Sequence, residues 1–171
     1  MSSSAGADFD ARLQRLEDER RILQLIDLCG MLSDAGPAEA FAELYAEDCV
    51  VDLGENLRPG VKTIIEGRGR LIEEVYLEPN HHAATGRVQH FRSGPQIVQV
   101  DGDSAEAVTY ARTVYFADGT PKEVLTGFNF WSLSRRGGRW RITRRTHRRI
   151  GESDVRALFK PLVERALKGL G

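Results

Sequence analysis

An α+β fold is what this 171-residue sequence predicts, with helices first and a curved antiparallel sheet after them. A change of pattern carries that expectation. Up to about Leu77 the apolar residues recur at mostly helical spacing, interrupted by a short strand-like run from Cys49 to Leu53, whereas from Thr85 onward the period is two. Turn sequences supply the strand count: Asp101-Gly102-Asp103, Asp118-Gly119 and Gly137-Gly138 divide the second half into four strand-length segments. The length suits one domain over 1–171, with a core large enough to hold a cavity.

Residues 1–7 are small and polar and are expected to be disordered. From Asp8 to Asp34, Phe9, Leu13, Leu16, Leu23, Ile26 and Met31 lie among charged residues as on one long amphipathic helix, open to a break near Arg20. Gly36 and Pro37 end it, and Pro37 opens a second helix reaching Tyr45, with Phe41, Leu44 and Tyr45 as its apolar stripe. Cys49 to Leu53 then reads as a strand, Gly54 to Gly60 as a loop, and Arg68 to Leu77 as a third helix. Thr85 to Val100, Ala105 to Phe116, Lys122 to Arg135 and Arg139 to Ile150 form the meander. A last helix within 152–169 carries Val155, Leu158, Phe159, Leu162 and Val163, bent or divided by Pro161.

The formal net charge of −1 provides no field that would recruit nucleic acid or an anionic membrane. The expected partner is a small molecule, mainly apolar, or a protein. Cys29 and Cys49 lie in apolar contexts without metal or redox spacing, as buried thiols in a reducing compartment would. The N-terminus lacks the apolar core of a signal peptide, and no run is long enough to span a bilayer, so a soluble cytoplasmic protein is expected. A long meander needs its outer face or edges covered, which predicts a homo-oligomer, dimer or trimer.

The stretch Arg87-Val88-Gln89-His90-Phe91-Arg92 opens a strand on which Val88 and His90 share one face and Gln89 and Phe91 the other. An imidazole beside apolar neighbours can take and return a proton near neutral pH, although a half-buried structural histidine reads the same way. Asp34, ending the first helix, could orient that imidazole if the two approach within roughly 2.6–3.2 Å, or could simply cap the next helix. Asn129, between Phe128 and Phe130, could donate to a substrate oxygen, and Tyr110 and Tyr115 could supply a phenol. On the basic last strand, alternation from Ile142 turns Arg144 and Arg148 inward, where either could hold an anionic or carbonyl group, and turns Arg141, Arg145 and Arg149 outward. His81-His82 lack the spacing of a metal site and read as a loop or pocket rim, and Gly67-Arg68-Gly69-Arg70 lacks the ending of a phosphate loop. Neither a metal nor a cofactor is expected.

Several local sequences carry a resemblance. They are Leu32-Ser33-Asp34, the passage from Ala42 to Val50, Gln89-His90-Phe91, Asp101 to Ala105, and Gly138-Arg139-Trp140-Arg141-Ile142. In this order they resemble the SnoaL-like, nuclear transport factor 2-like superfamily, and within it most closely scytalone dehydratase and hexachlorocyclohexane dehydrochlorinase. The resemblance implies a cone: a curved antiparallel sheet with the N-terminal helices on its concave face, enclosing a pocket. It implies that Asp34 and His90 form a catalytic dyad, that Asn129 occupies a pocket position, and that the segment after Ile150 leads the C-terminal helix over or beside the pocket mouth. Two tyrosine positions of the dehydratase fall on Ser33 and Leu53, which makes Leu53 a pocket-wall residue. The function so implied is a cofactor-independent dehydratase-like lyase, or an isomerase, acting on a small apolar cyclic substrate. The alternatives are a non-catalytic assembly or ligand-binding subunit resembling the small subunit of aromatic-ring dioxygenases, and a polyketide- or steroid-type ligand binder.

Overall fold

The computed structural model describes residues 2–54, 63–77, 85–94 and 97–170, without the side chains of residues 2–5. Helix α1, Ser2–Ala35, runs without a break at Arg20 and includes residues that their composition had marked as disordered. Residues 6–17 are exposed, and Asp18 is the first buried side chain. A short helix α2, Ala38–Ala42, leads into strand β1, Tyr45–Asp52. Tyr45, read from the sequence as the end of a helix, instead opens the strand, because its pairing with Ile142 outweighs the helical spacing of its apolar neighbours. Strand β2, Ile64–Glu66, follows, then helix α3, Arg68–Leu71, which continues as a π-helical turn over Ile72–Tyr76. The loop read over Gly54 to Gly60 lies, beyond Gly54, outside the described residues, as do His81 and His82.

The rest of the sheet comprises β3, Val88–Arg92, β4, Ile97–Asp101, β5, Ser104–Ala117, β6, Thr120–Arg136, and β7, Arg139–Arg149. The segment read as one strand from Thr85 to Val100 is therefore two. Both lie along β5, with β3 opposite Ala111–Tyr115 and β4 opposite Ser104–Val108. The order is β2-β1-β7-β6-β5-β3, with β1 parallel to β7 and the other pairings antiparallel. This is a large, unclosed, mixed sheet preceded by helices, the α+β cone that the resemblance implies.

One face of the sheet meets α1. Ile22, Leu25, Ile26 and Cys29 of the helix pack with Trp131, Leu133, Trp140 and Ile142 in a single core. The helix is also anchored by charge. The carboxylate of Asp18, 2% exposed, accepts hydrogen bonds from Trp140 Nε1 at 3.0 Å, Arg135 at 2.7 Å and Gln14 at 3.1 Å. Burial works against that charge, but the Trp140, Gln14 and Arg135 donors outweigh it and hold the carboxyl below its usual range.

The opposite face receives helix α4, Val155–Gly169. Phe159 sits edge-on to Phe128 and Phe130, each 5.0 Å away, and Leu162 packs against Val108 and Phe130. The helix expected over or beside the pocket thus lies on the outer face. The helical stripe Leu158, Phe159 and Leu162 finds its apolar partners on the outer face. Pro161 lies inside the helix without dividing it.

Candidate functional site

The inner face is best read in rows across the paired strands. Ala105, Leu133 and Ile142 form the first row, and Ala107, Trp131, Arg145 and Val51 the second. Thr109, Asn129 and His147 form the third, Arg92, Ala111, Gly127 and Arg149 the fourth, and His90, Thr113 and Leu125 the last. Hydrocarbon gives way to hydroxyl, amide, imidazole and guanidinium as the rows proceed. Helix α1 seals the apolar rows and ends at the polar ones.

Asp34 and His90 meet at the last row. The His90 Nδ1 lies 2.6 Å from Asp34 Oδ1, and the His90 backbone N–H donates to both carboxylate oxygens, at 3.0 and 3.1 Å. Two features of the chain hold the helix end there. At Gly30, one turn before Asp34, a methyl group would stand 3.3 Å from the His90 carbonyl oxygen, so the missing side chain lets α1 approach β3 closely. Beyond the helix, the Tyr76 hydroxyl donates to the carbonyls of Leu32, at 3.0 Å, and Gly36. An open groove of about 610 Å³ reaches Asp34 from the outer side of β3, walled by Gln89, Phe91, Arg112 and Phe116.

Asn129, 3% exposed, lies in the third row and bonds His147, whose Nδ1 is 3.2 Å from Asn129 Oδ1. His147 is itself buried. Loss of hydration, followed by the nearby charges of Arg145, Arg92, Arg149 and Arg148, pushes its pKa down to about 3, so the imidazole is neutral. Its Nδ1–H then donates to the amide oxygen and Nε2 carries the lone pair. Tyr115 shares the face of His90 and stands one pairing beyond it, opposite Val88. Leu53 packs against the core at the end of β1.

Three residues expected to line the pocket face away from it. Tyr110 is more than half exposed on the outer face, its ring 5.3 Å from Phe128. Arg144 is exposed, and Arg148 grips Asp52 through two contacts of 3.0 and 2.8 Å and Asp154 through a third of 2.7 Å. Both arginines are turned by one irregularity. Leu133 pairs Ile142, but Ser132 pairs Arg144, so Thr143 is an extra residue in β7 and the alternation beyond it inverts. Arg145 and Arg149, expected outside, are therefore inside.

Arg145 bonds the Tyr45 hydroxyl at 3.4 Å, and that hydroxyl is 3.3 Å from Cys29 Sγ. Burial, reinforced by Cys29, raises the Tyr45 pKa far above the usual phenol value, so the hydroxyl keeps its proton. Arg92 lies over the Trp131 ring, 5.4 Å from its centroid, and reaches towards Cys29 Sγ at 3.9 Å. Arg92 was legible, since it follows His90 by two on the same strand. Arg145, His147 and Arg149 were hidden by the bulge, and Tyr45 by its apparent helix. Both cysteines are free and buried. Among the described residues no group of three His, Cys, Asp or Glu side chains is placed to hold a metal, and no helix is long and apolar enough to cross a membrane.

Comparisons with known proteins agree with this architecture. A nuclear transport factor 2-like protein with a cystatin-like fold from Novosphingobium aromaticivorans is 30% identical over 89% of this chain and 95% of its own, with a TM-score of 0.79. From the same organism, a proposed scytalone dehydratase is 20% identical over 79% of this chain and 85% of its own, TM-score 0.65. A proposed aromatic ring hydroxylase, also from that organism, is 21% identical over 80% and 92%, TM-score 0.62. No curated protein matches. The SnoaL-like domain family matches residues 14–146, and with the inner-face geometry and these structural neighbours it follows that this chain belongs to the SnoaL-like family of the nuclear transport factor 2-like superfamily.

Proposed function

We propose that this protein moves a proton on carbon, as a lyase of the dehydratase type or an isomerase, on a small cyclic molecule held against the inner face of the sheet. The observation that carries the reading is the 2.6 Å contact between Asp34 Oδ1 and His90 Nδ1. With Nδ1–H held by the carboxylate, Nε2 is the atom that takes a proton from carbon next to a carbonyl. Asp34 keeps the imidazole in that tautomer and stabilises its charge while it holds the proton. The amide N–H of Asn129 or an inward guanidinium would donate to the developing enolate oxygen. In a dehydration, the proton on Nε2 passes to the departing hydroxyl and leaves as water; in an isomerisation, it returns to another carbon. The structural neighbour named as a proposed scytalone dehydratase is in keeping with this chemistry.

The test is exchange of solvent deuterium into cyclic ketones and β-hydroxy ketones, followed by NMR. Wild-type protein should exchange the carbon proton next to the carbonyl. His90→Gln should lose at least about a hundredfold in rate while keeping its fold, because the backbone N–H that Asp34 accepts remains. Exchange in His90→Gln at the wild-type rate would end the proposal.

A second reading, an assembly subunit, draws on the outer face, where Phe91, Tyr110 and Phe116 are each about half exposed. Light scattering should then show an oligomer, and a larger protein should purify with the chain in stoichiometric amount.

A further inference from the structure

The described interior holds more positive charge than it pairs. Arg92 comes from β3 and Arg145 and Arg149 from β7, and the pairing register brings all three to the inner face beside Trp131, Asn129 and His147. No described carboxylate forms an ion pair with any of them, in contrast to Arg148 on the outer face, which binds both Asp52 and Asp154. What they do contact is weak or neutral: the Trp131 ring and Cys29 Sγ for Arg92, and the Tyr45 hydroxyl for Arg145. The Nε atoms of Arg92, Arg145 and Arg149 and the Nε2 of His147 are buried without a hydrogen-bond partner. His147 is only 5% exposed.

Each such atom is costly. A buried donor without an acceptor carries a desolvation penalty, and a guanidinium more than most. Several on one surface, reached from two strands, are better explained by a common acceptor than by separate accidents of packing. A guanidinium offers planar, paired donors that match a carboxylate or an enolate oxygen. His147 contributes the opposite character. Its Nδ1–H is committed to Asn129, which leaves the Nε2 lone pair to accept from a hydroxyl.

We propose that the inner face between Arg92, Arg145 and Arg149 is an anion-binding subsite that takes a cyclic or aromatic molecule bearing a carboxylate or an ionised enol oxygen, with a neighbouring hydroxyl directed at His147. Trp131 lies beneath Arg92 and supports its guanidinium through the ring face. This amends the mainly apolar ligand that the composition suggests. Its use as a substrate site rests on the proton-transfer reading, since His90 and Arg92 share a face of β3 two residues apart and would act on one bound molecule. The anion site itself does not depend on the dyad.

Binding read without turnover keeps the two apart. Benzoate and its neutral counterpart benzamide are titrated into the protein by isothermal calorimetry, with thermal shift as a second readout. Wild-type protein should bind benzoate at least tenfold tighter than benzamide. Arg145→Met and Arg92→Met should each weaken benzoate by about ten- to a hundredfold, the effect of removing one charged donor, and leave benzamide little changed. Arg144→Met, on the outer face, should bind as the wild type does. Equal affinity of the wild-type protein for benzoate and benzamide would overturn the proposal, and so would undiminished benzoate binding by the two inner variants. If those variants fail to fold, the wild-type comparison decides alone. Benzoate selectivity without deuterium exchange in any ketone would leave the subsite standing and remove the dyad mechanism.

Discussion

Arg148→Met tests the inverted face of β7 most directly. On the outer face the guanidinium satisfies Asp52, whose residue is 8% exposed and which otherwise accepts from the backbone N–H of Gly54 at 3.0 Å and lies 3.9 Å from the exposed Arg144. Removing Arg148 leaves a buried carboxylate with that single bond, a change that costs about 3–5 kcal/mol when one partner of a buried pair is lost. With a urea m-value of about 2 kcal/mol/M, the unfolding midpoint should fall by about 1.5–2.5 M at pH 7. The pH dependence has a definite sign. Burial raises the Asp52 pKa, but Arg148 and the Gly54 N–H more than offset it, so the folded value is depressed. The wild-type contribution is therefore present above the unfolded pKa of about 3.9 and is lost as pH falls through the lower, folded value. Without Arg148 only the Gly54 N–H and the more distant charge of Arg144 oppose burial, and Asp52 takes up a proton more readily, so the deficit of the variant should be smaller at pH 4 than at pH 7. Adding Asp52→Asn should restore part of the loss. A midpoint shift below about 0.5 M at pH 7, equivalent to about 1 kcal/mol, would refute the pairing and return Arg148 to the candidates for the interior.

The same reasoning applies at two other sites. Asp18→Ala leaves Trp140 Nε1 and Arg135 facing a buried gap and frees α1 from the hairpin of β6 and β7, so thermal unfolding should show a loss of about 2–4 kcal/mol; a change under about 0.5 kcal/mol would mean that apolar packing alone holds the helix. His147 has a folded pKa of about 3 against an unfolded value near 6.5, so below pH 6.5 the unfolded chain binds the extra proton and stability falls as pH falls. The slope should be about 1.4 kcal/mol per pH unit between about pH 6 and 4, and His147→Gln should remove it; an NMR titration showing the His147 ring protonating near pH 6 would contradict the burial argument.

The fold was largely legible because each of its signals is local. The turns Asp101-Gly102-Asp103, Asp118-Gly119 and Gly137-Gly138 set the ends of β4 to β7 within a few residues, and alternation correctly placed His90 opposite Phe91. What failed was whatever depended on register across distance. A single bulge residue, Thr143, exchanged the faces of five basic residues, and nothing in Arg141-Ile142-Thr143-Arg144 announces it, since threonine suits a regular strand as well as a bulge. Tyr110 fared likewise: aromatic strand residues suit either face, and its partner Phe128 became known only with the pairing of β5 and β6. The last helix had a clear apolar stripe, but a stripe does not say which of two apolar surfaces it will meet.

The Asp34–His90 contact joins two requirements that could have been met by separate residues. Strand β3 ends the sheet, and the His90 N–H points away from β5, so it is an edge donor in need of an acceptor. Asp34 accepts it with the same carboxylate that meets the imidazole. A side chain that only capped the following helix would turn its oxygens to the N–H groups near Glu39, and the N-terminus of α2 has no side-chain cap. The capping role considered for Asp34 thus gives way to one at the sheet edge. Because the backbone bond fixes the carboxylate independently of the ring, the proposed general base at His90 would have a partner that does not move.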